Sequence, residues 1–260
     1  MKRIAIFLVF CIGLLTIQDA QCATKRRRSR ARTHRTVKPK APARLSLHDQ
    51  NPYLTCEDTC THVHGIDVSH YQNEVFWQTI GDQTNMAYVY LKATEGADNI
   101  DKRYEQNIDL AHRHGLKVGS YHFFRPKIAV HQQIENFKAQ CLPGEQDLIP
   151  MLDVETTGGL TDQQFCDSLS KMLTVMEATY HQKPLVYTYR NFYNKYMQGR
   201  VDDYQLMIAT YADEQPVLSD GRDYTMWQYT CKGRLSGVAG EVDKSRFVGD
   251  HSLREIRFQR

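Results

Sequence analysis

Between His64 and Tyr196 the chain alternates, five times over, a short run of β-forming residues with a stretch of helical period. That rhythm predicts parallel strands joined by crossover helices. The strand-like segments are "HGIDVSHY" (His64 to Tyr71), "MAYVYLKATEG" (Met86 to Gly96), "KVGSYHFF" (Lys117 to Phe124), the run opening "IPMLDVETTGG" (Ile149 to Gly159) and "PLVYTY" (Pro184 to Tyr189). Helical stretches separate them. One lies around Val75 to Ile80, and another puts Tyr104, Ile108 and Ala111 on one face with Gly115 as its cap. A third is "AVHQQIENFKAQC", and a fourth opens at Thr161 with Gln164 three residues on, a capping box. Its Phe165, Leu169, Met172, Leu173 and Met176 keep helical period and read as core. "NFYNKYM" starts a short fifth helix. After it, "QLMIATYA", "YTMWQYT" and a segment near Val242 fall too close together for full βαβ units of about 30 residues. Five β/α units followed by three helix-poor strands predict an α/β fold, a modified and compact TIM-like barrel.

In such a barrel, active residues sit at the C-terminal ends of the strands. Asp67 lies near the end of the first strand, Asp153 and Glu155 end the fourth, and Asp243 begins or flanks the last, which closure brings beside the first. Side chains two apart on a strand share a face, about 6.6 Å apart at a rise of about 3.3 Å per residue. Asp153 and Glu155 therefore face one chamber. Crowded carboxylates raise one another's proton affinity, so one stays protonated near neutral pH while another is ionised. Glycoside hydrolysis uses that division of labour. The D-x-E spacing alone leaves two other readings open, an oxygen-rich Mg²⁺ or Ca²⁺ site and a structural ion pair with Lys92 or Arg125.

The N-terminal quarter belongs to a different class. Lys2 and Arg3 precede an apolar stretch from Ile4 to Ile17, and polarity returns at Gln18. Residues 1–22 read as a secretory signal peptide, with Ala20 and Cys22 as the small residues before a cut at Ala23. Lipid attachment at Cys22 is the alternative, disfavoured by Asp19 and Gln21. Residues 23–62 form a basic arm and lead-in. Its core, "KRRRSRARTHRTVKPKAPAR" (Lys25 to Arg44), holds ten basic residues, no acidic ones and two prolines, and predicts a disordered, extended segment. Its plain reading is a spacer, and its sharper reading is adhesion to an anionic envelope surface. Of 33 basic and 30 acidic residues, 21 and 29 lie in residues 45 to 260, a net charge of −8. That acidic remainder is ill suited to gripping nucleic acid. The mature chain offers no apolar run long enough for a transmembrane segment. Cys56, Cys60, Cys141, Cys166 and Cys231 are compatible with disulfides after export to the periplasm, cell envelope or medium, without fixing their pairing. Cys56, Cys60, His62 and His64 lack a standard zinc spacing.

"HGIDVSHYQ", "KATEG", "GSYHFFRP", "IPMLDVE", "MWQY" and "GEVD", in that order, resemble the motifs of glycoside hydrolase family 25, the Chalaropsis-type lysozymes. The resemblance runs from about His64 to Phe247, within a single catalytic barrel over residues 63–260. It implies a flattened (β/α)5β3 barrel and N-acetylmuramidase action on the β-1,4 bond between N-acetylmuramic acid and N-acetylglucosamine in peptidoglycan, with no metal or other cofactor. Carried over by position, Glu155 is implied as general acid/base, and Asp153 as the group that orients the substrate's 2-acetamido arm. Asp67 and Asp243 would complete the acidic cluster. Sugar faces stack on aromatics, and Tyr121, Tyr187 and Trp227 stand in family-like motifs as substrate contacts. Glu95 either faces the mouth or pairs with Lys92. One departure is "LMIATYA", where the family often carries a tryptophan before the "IA". A catalytically silent envelope-binding protein on the same barrel is the alternative, against which the retention of all four acidic positions argues.

Overall fold

The computed structural model describes residues 63–259 apart from Thr84, so the expectations for residues 1–62 lie outside it. Nine strands form one sheet: β1 (His64–Val68), β2 (Met86–Glu95), β3 (Asn99–Ile100), β4 (Lys117–Phe123), β5 (Met151–Asp153), β6 (Leu185–Tyr189), β7 (Leu206–Ala209), β8 (Met226–Gly233) and β9 (Val242–Phe247). β1 pairs with both β2 and β9, which closes eight strands into a barrel, while β3 pairs only with the end of β2. The helices are α1 (Trp77–Gly81), α2 (Tyr104–Arg113), α3 (Val130–Gln140), α4 (Asp162–Tyr180) and α5 (Arg190–Tyr196). Five strand–helix units thus precede three strands without helices, as the spacing predicts. All neighbouring barrel strands run parallel except β9, which is antiparallel to β8 and β1.

Local sequence explains where elements stop. β1 ends three residues earlier than its apolar pattern suggests, because the Ser69 hydroxyl and Gln72 cap a 3-10 turn over His70–Gln72. Asp101 pins that turn, accepting from the His70 backbone N–H at 2.9 Å and lying 2.7 Å from its ring Nδ1. α4 begins at the expected capping box, the Thr161 hydroxyl accepting from the Gln164 N–H at 3.3 Å. α2 buries Tyr104, Ile108 and Ala111, the face that its periodicity selects. β5 is shorter than its hydrophobic run: pairing ceases at Asp153, and Glu155 lies two residues beyond.

The lumen is filled with tyrosine. Tyr88 and Tyr90 of β2 are fully buried and point inward beside Gly65 of β1 and Gly119 of β4. A Cβ on Gly65 would lie 1.9 Å from the Tyr88 ring, and one on Gly119 would lie 2.3 Å from the Tyr90 ring. These two glycines make room for phenol rings that plug the barrel. Both hydroxyls are partnered inside it, Tyr88 with Ser245 Oγ at 3.1 Å and Tyr90 donating to the Ile149 carbonyl at 3.1 Å. Below the mouth the barrel is therefore a packed core.

Cys141 and Cys166 are free and buried, whereas Cys231 on β8 is disulfide-bonded. Among the described residues no helix is long and apolar enough to cross a membrane.

Candidate active site

Register places the acidic residues together at the upper rim. Asp67 of β1 faces Asp243 across the antiparallel β1–β9 pair. Asp153, last residue of β5, stands between Phe123 of β4 and Tyr187 of β6. Beyond it the backbone stays attached to the sheet, the Val154 N–H donating to the Tyr187 carbonyl at 2.9 Å and Thr188 Oγ1 donating to the Val154 carbonyl at 2.7 Å. That attachment holds Glu155 over the mouth even though strand pairing has ended. Asp67 and Asp153 are buried, at 6% exposure each, while Glu155 and Asp243 are half-buried and reach toward solvent.

Burial and mutual repulsion set the proton affinities. Asp67 is pushed up to about 8, first by burial, then by the Asp243 charge, against a lowering hydrogen bond from Gln228. Glu155 is pushed up to about 7 by burial and by Asp243, against a hydrogen bond from Tyr189 and the charges of Lys92 and Arg125. Burial and the Glu155 charge hold Asp153 well above the usual carboxylate range. Asp67 Oδ1 and Asp153 Oδ1 are buried with no hydrogen-bond partner among the described residues. Buried polar atoms are nearly always paired, so two orphaned carboxyl oxygens at one rim mark a place built for a ligand's donors. Among the described residues no three His, Cys, Asp or Glu side chains are placed to hold a metal ion.

The nearby cations do not bind these carboxyls directly. Lys92 Nζ donates to Glu95 Oε2 at 2.6 Å, and Arg125 Nε donates to Glu95 Oε1 at 2.9 Å. Both cations also lie over the Phe123 ring, at 5.1 and 4.5 Å from its centre. Burial alone would raise Glu95, but the hydrogen bonds and charges of Lys92 and Arg125 outweigh it, and its carboxyl is held below its ordinary value. The ion pair that the sequence offers for Asp153 or Glu155 forms at Glu95 instead.

The aromatics divide. Tyr121 on β4 is half-buried beside the acids, its hydroxyl held protonated by burial and by Asp153, Asp67 and Asp243. Tyr187 is buried, and its hydroxyl donates to Gln228 Oε1 at 2.9 Å. Trp227 does not join the cluster. Alternation on β8 turns it away from the lumen, where it donates to the Thr210 carbonyl at 2.9 Å and packs against Arg246 and Tyr229. Three groups at the site escaped the sequence reading: Gln228, Tyr189 and Tyr211. Tyr189 stands two residues after Tyr187, so strand alternation alone would have put it on the same face.

Known proteins resemble this chain in sequence and fold. The model of the family described as "Glycosyl hydrolases family 25" matches residues 66–238. Lysozyme M1 of Streptomyces globisporus is 28% identical over 201 residues, 72% of this chain and 68% of its own. Among solved structures, a bacterial lysozyme from Streptomyces coelicolor superposes with a TM-score of 0.66 at 28% identity, covering 75% of this chain and 94% of that one. A family 25 glycosyl hydrolase from Bacillus anthracis gives 0.66 at 31% identity, covering 72% and 89%.

The raised carboxyls carry a stability consequence. A group whose proton affinity is higher in the folded state stabilises the fold below its unfolded value, near 3.9, and that contribution is lost as pH rises through the folded value. For Asp67 the window runs from about 4 to about 8. Asp67→Asn should therefore raise the unfolding temperature relative to wild type at pH 8, by about 2–4 °C per kcal/mol recovered, and change it little at pH 4. Thermal unfolding at the two pH values checks this; an equal shift at both would assign the effect to packing. With its rim of carboxyls at the open end of a (β/α)5β3 barrel, and a family model matched over most of that barrel, the chain belongs to glycosyl hydrolases family 25.

Proposed function

We propose that this protein is a peptidoglycan hydrolase, an N-acetylmuramidase that cleaves the β-1,4 bond after N-acetylmuramic acid. The observation that carries the reading is the rim itself: Glu155 half-exposed with its proton held to about 7, beside two buried carboxyls whose Oδ1 atoms lack partners. A glycosidase needs a proton for the departing sugar oxygen and negative or accepting groups near the positive anomeric centre. Glu155 supplies the first. Asp153 supplies the second by accepting from the N–H of the substrate's 2-acetamido group, whose carbonyl oxygen attacks the anomeric carbon as the glycosidic bond breaks. The proton passes from Glu155 to the leaving oxygen, and Glu155 then takes one from the water that opens the cyclic intermediate. Two displacements restore the original anomeric configuration. Tyr121, half-buried next to Asp153, is the aromatic best placed to meet the sugar.

Export fits this reading. A leader-like N-terminus, a disulfide at Cys231 and a polymeric substrate in the cell wall all favour a compartment outside the cytoplasm. The basic segment Lys25 to Arg44 then serves as an anchor to anionic envelope material, offsetting the repulsion between that surface and an acidic barrel.

Glu155→Gln should fold normally and lose about 10²–10⁴-fold in turnover, measured as reducing ends released from purified peptidoglycan. In the wild type, kcat/KM should fall as pH rises through about 7, because the proton donor is then lost. Near-wild-type release by a folded Glu155→Gln protein would remove Glu155 from its role.

NMR of the first-formed product should show the β anomer. An initial α anomer would mean inversion, and would eliminate attack by the acetamido group.

Deletion of residues 25–44 should leave hydrolysis of short soluble glycans unchanged but reduce sedimentation with intact sacculi. The loss should be larger at low salt than at physiological ionic strength, where exposed charges are screened over about 8 Å. Equal sedimentation of both forms at both salts would leave the segment as a spacer.

A further inference from the structure

Gln228 is buried at 3% exposure and makes three side-chain hydrogen bonds inside the barrel. Its Oε1 accepts from the Tyr187 hydroxyl at 2.9 Å and from the Tyr211 hydroxyl at 3.1 Å. Its Nε2 donates to Asp67 Oδ2. An amide can be turned over without changing its shape, but the orientation seen here is the one that suits an ionised Asp67. Turning it over would set Oε1 against the carboxylate and ask two phenols to accept from an NH2 group. The tyrosines come from β6 and from the residues just after β7, the amide from β8 and the carboxylate from β1, so the chain of bonds spans half the barrel. Its end point is Asp67, whose other oxygen, Oδ1, has no partner among the described residues.

We propose that Gln228 is a positioning residue for hydrolysis: oriented by Tyr187 and Tyr211, it fixes the rotation of the Asp67 carboxylate and leaves Oδ1 to accept a hydrogen bond from the bound glycan. The inference rests on the reading of the rim as a glycosidase site. Asp67 needs such a device because its surroundings work against a charged, fixed carboxylate. Asp243 faces it from β9, Asp153 from β5, Tyr88 and Tyr90 from β2 and Tyr121 from β4, with no cation directly bonded to it among the described residues. Gln228 supplies a neutral donor to the ionised form, and a donor fixed in place costs no reorganisation when substrate arrives.

The test combines two readouts on Gln228→Leu, Gln228→Glu and the double variant Tyr187→Phe/Tyr211→Phe. The first is carboxyl-carbon NMR of aspartate-labelled protein, with Asp67→Asn assigning the Asp67 signal. The second is kcat/KM against pH on soluble peptidoglycan fragments, with thermal unfolding as the check on folding. In Gln228→Leu the Asp67 titration should move up by about one pH unit, the size expected for losing a hydrogen bond to a charged group. Activity near pH 6, where Glu155 still holds its proton, should fall about tenfold because the Asp67 carboxyl is no longer held in orientation. Gln228→Glu should keep activity at acidic pH, where its protonated carboxyl can donate to Asp67 and accept from the tyrosines. It should lose activity as that proton leaves. The double tyrosine variant should shift Asp67 in the same direction by less, and it carries the test together with Gln228→Glu where Gln228→Leu does not fold. An unmoved Asp67 titration in the folded variants overturns the proposal, as does a loss of activity equal at every pH in both Gln228 variants. Absence of hydrolysis by the wild type would instead strike the glycosidase reading, and the Asp67 titration would still decide whether Gln228 governs that carboxyl.

Discussion

β9 runs antiparallel to its neighbours, and this reversal sets Asp243 directly opposite Asp67. In a barrel of wholly parallel strands, each new carboxylate would arrive from its own strand end, separated by the twist. Here two of them share one antiparallel pair position, beside a third on β5 and a fourth just beyond it. Like charges at such range, above a lumen plugged by Tyr88 and Tyr90, cannot all ionise near neutral pH. The retained protons follow first from burial and then from that crowding, and are what a glycosidase spends on its leaving group. The same crowding costs stability as pH rises, a common bargain at functional sites.

Much of this was legible in the residues. Alternating periods predicted five β/α units and three closing strands, and the capping box at Thr161 located a helix start. These signals are local, so they survive without knowledge of the fold. Strand alternation also put Asp153 and Glu155 on one side. The end of β5 was less legible, because hydrophobicity reports burial and not pairing; the run continues through Val154 while pairing stops at Asp153. Trp227 was misplaced for a related reason. A motif gives the residue but not the face, and on β8 the lumen side belongs to Gln228. Gln228 itself carried no chemical signal. A glutamine in an apolar strand becomes informative only when three partners from other strands are seen around it.

The cations near the rim complete the electrostatics by what they avoid. Lys92 is buried, and a buried ammonium bonded straight to Asp153 would favour the ionised carboxyl and pull protons out of the cluster. Glu95 prevents this by taking both Lys92 and Arg125 for itself, while the Phe123 ring supports the two cations from below. What reaches Asp153 and Glu155 is the field of a partly neutralised group, two cations sharing one carboxylate, enough to moderate their proton affinity but not to reverse it. The direct hydrogen bonds to Asp67 and Glu155 come from uncharged donors, Gln228 and Tyr189. A neutral donor fixes direction with a smaller shift in charge preference than an ion pair would bring. The site thus separates two tasks that a single salt bridge would merge: orientation is handled by amide and phenol, and charge balance by a clamp held one residue layer away.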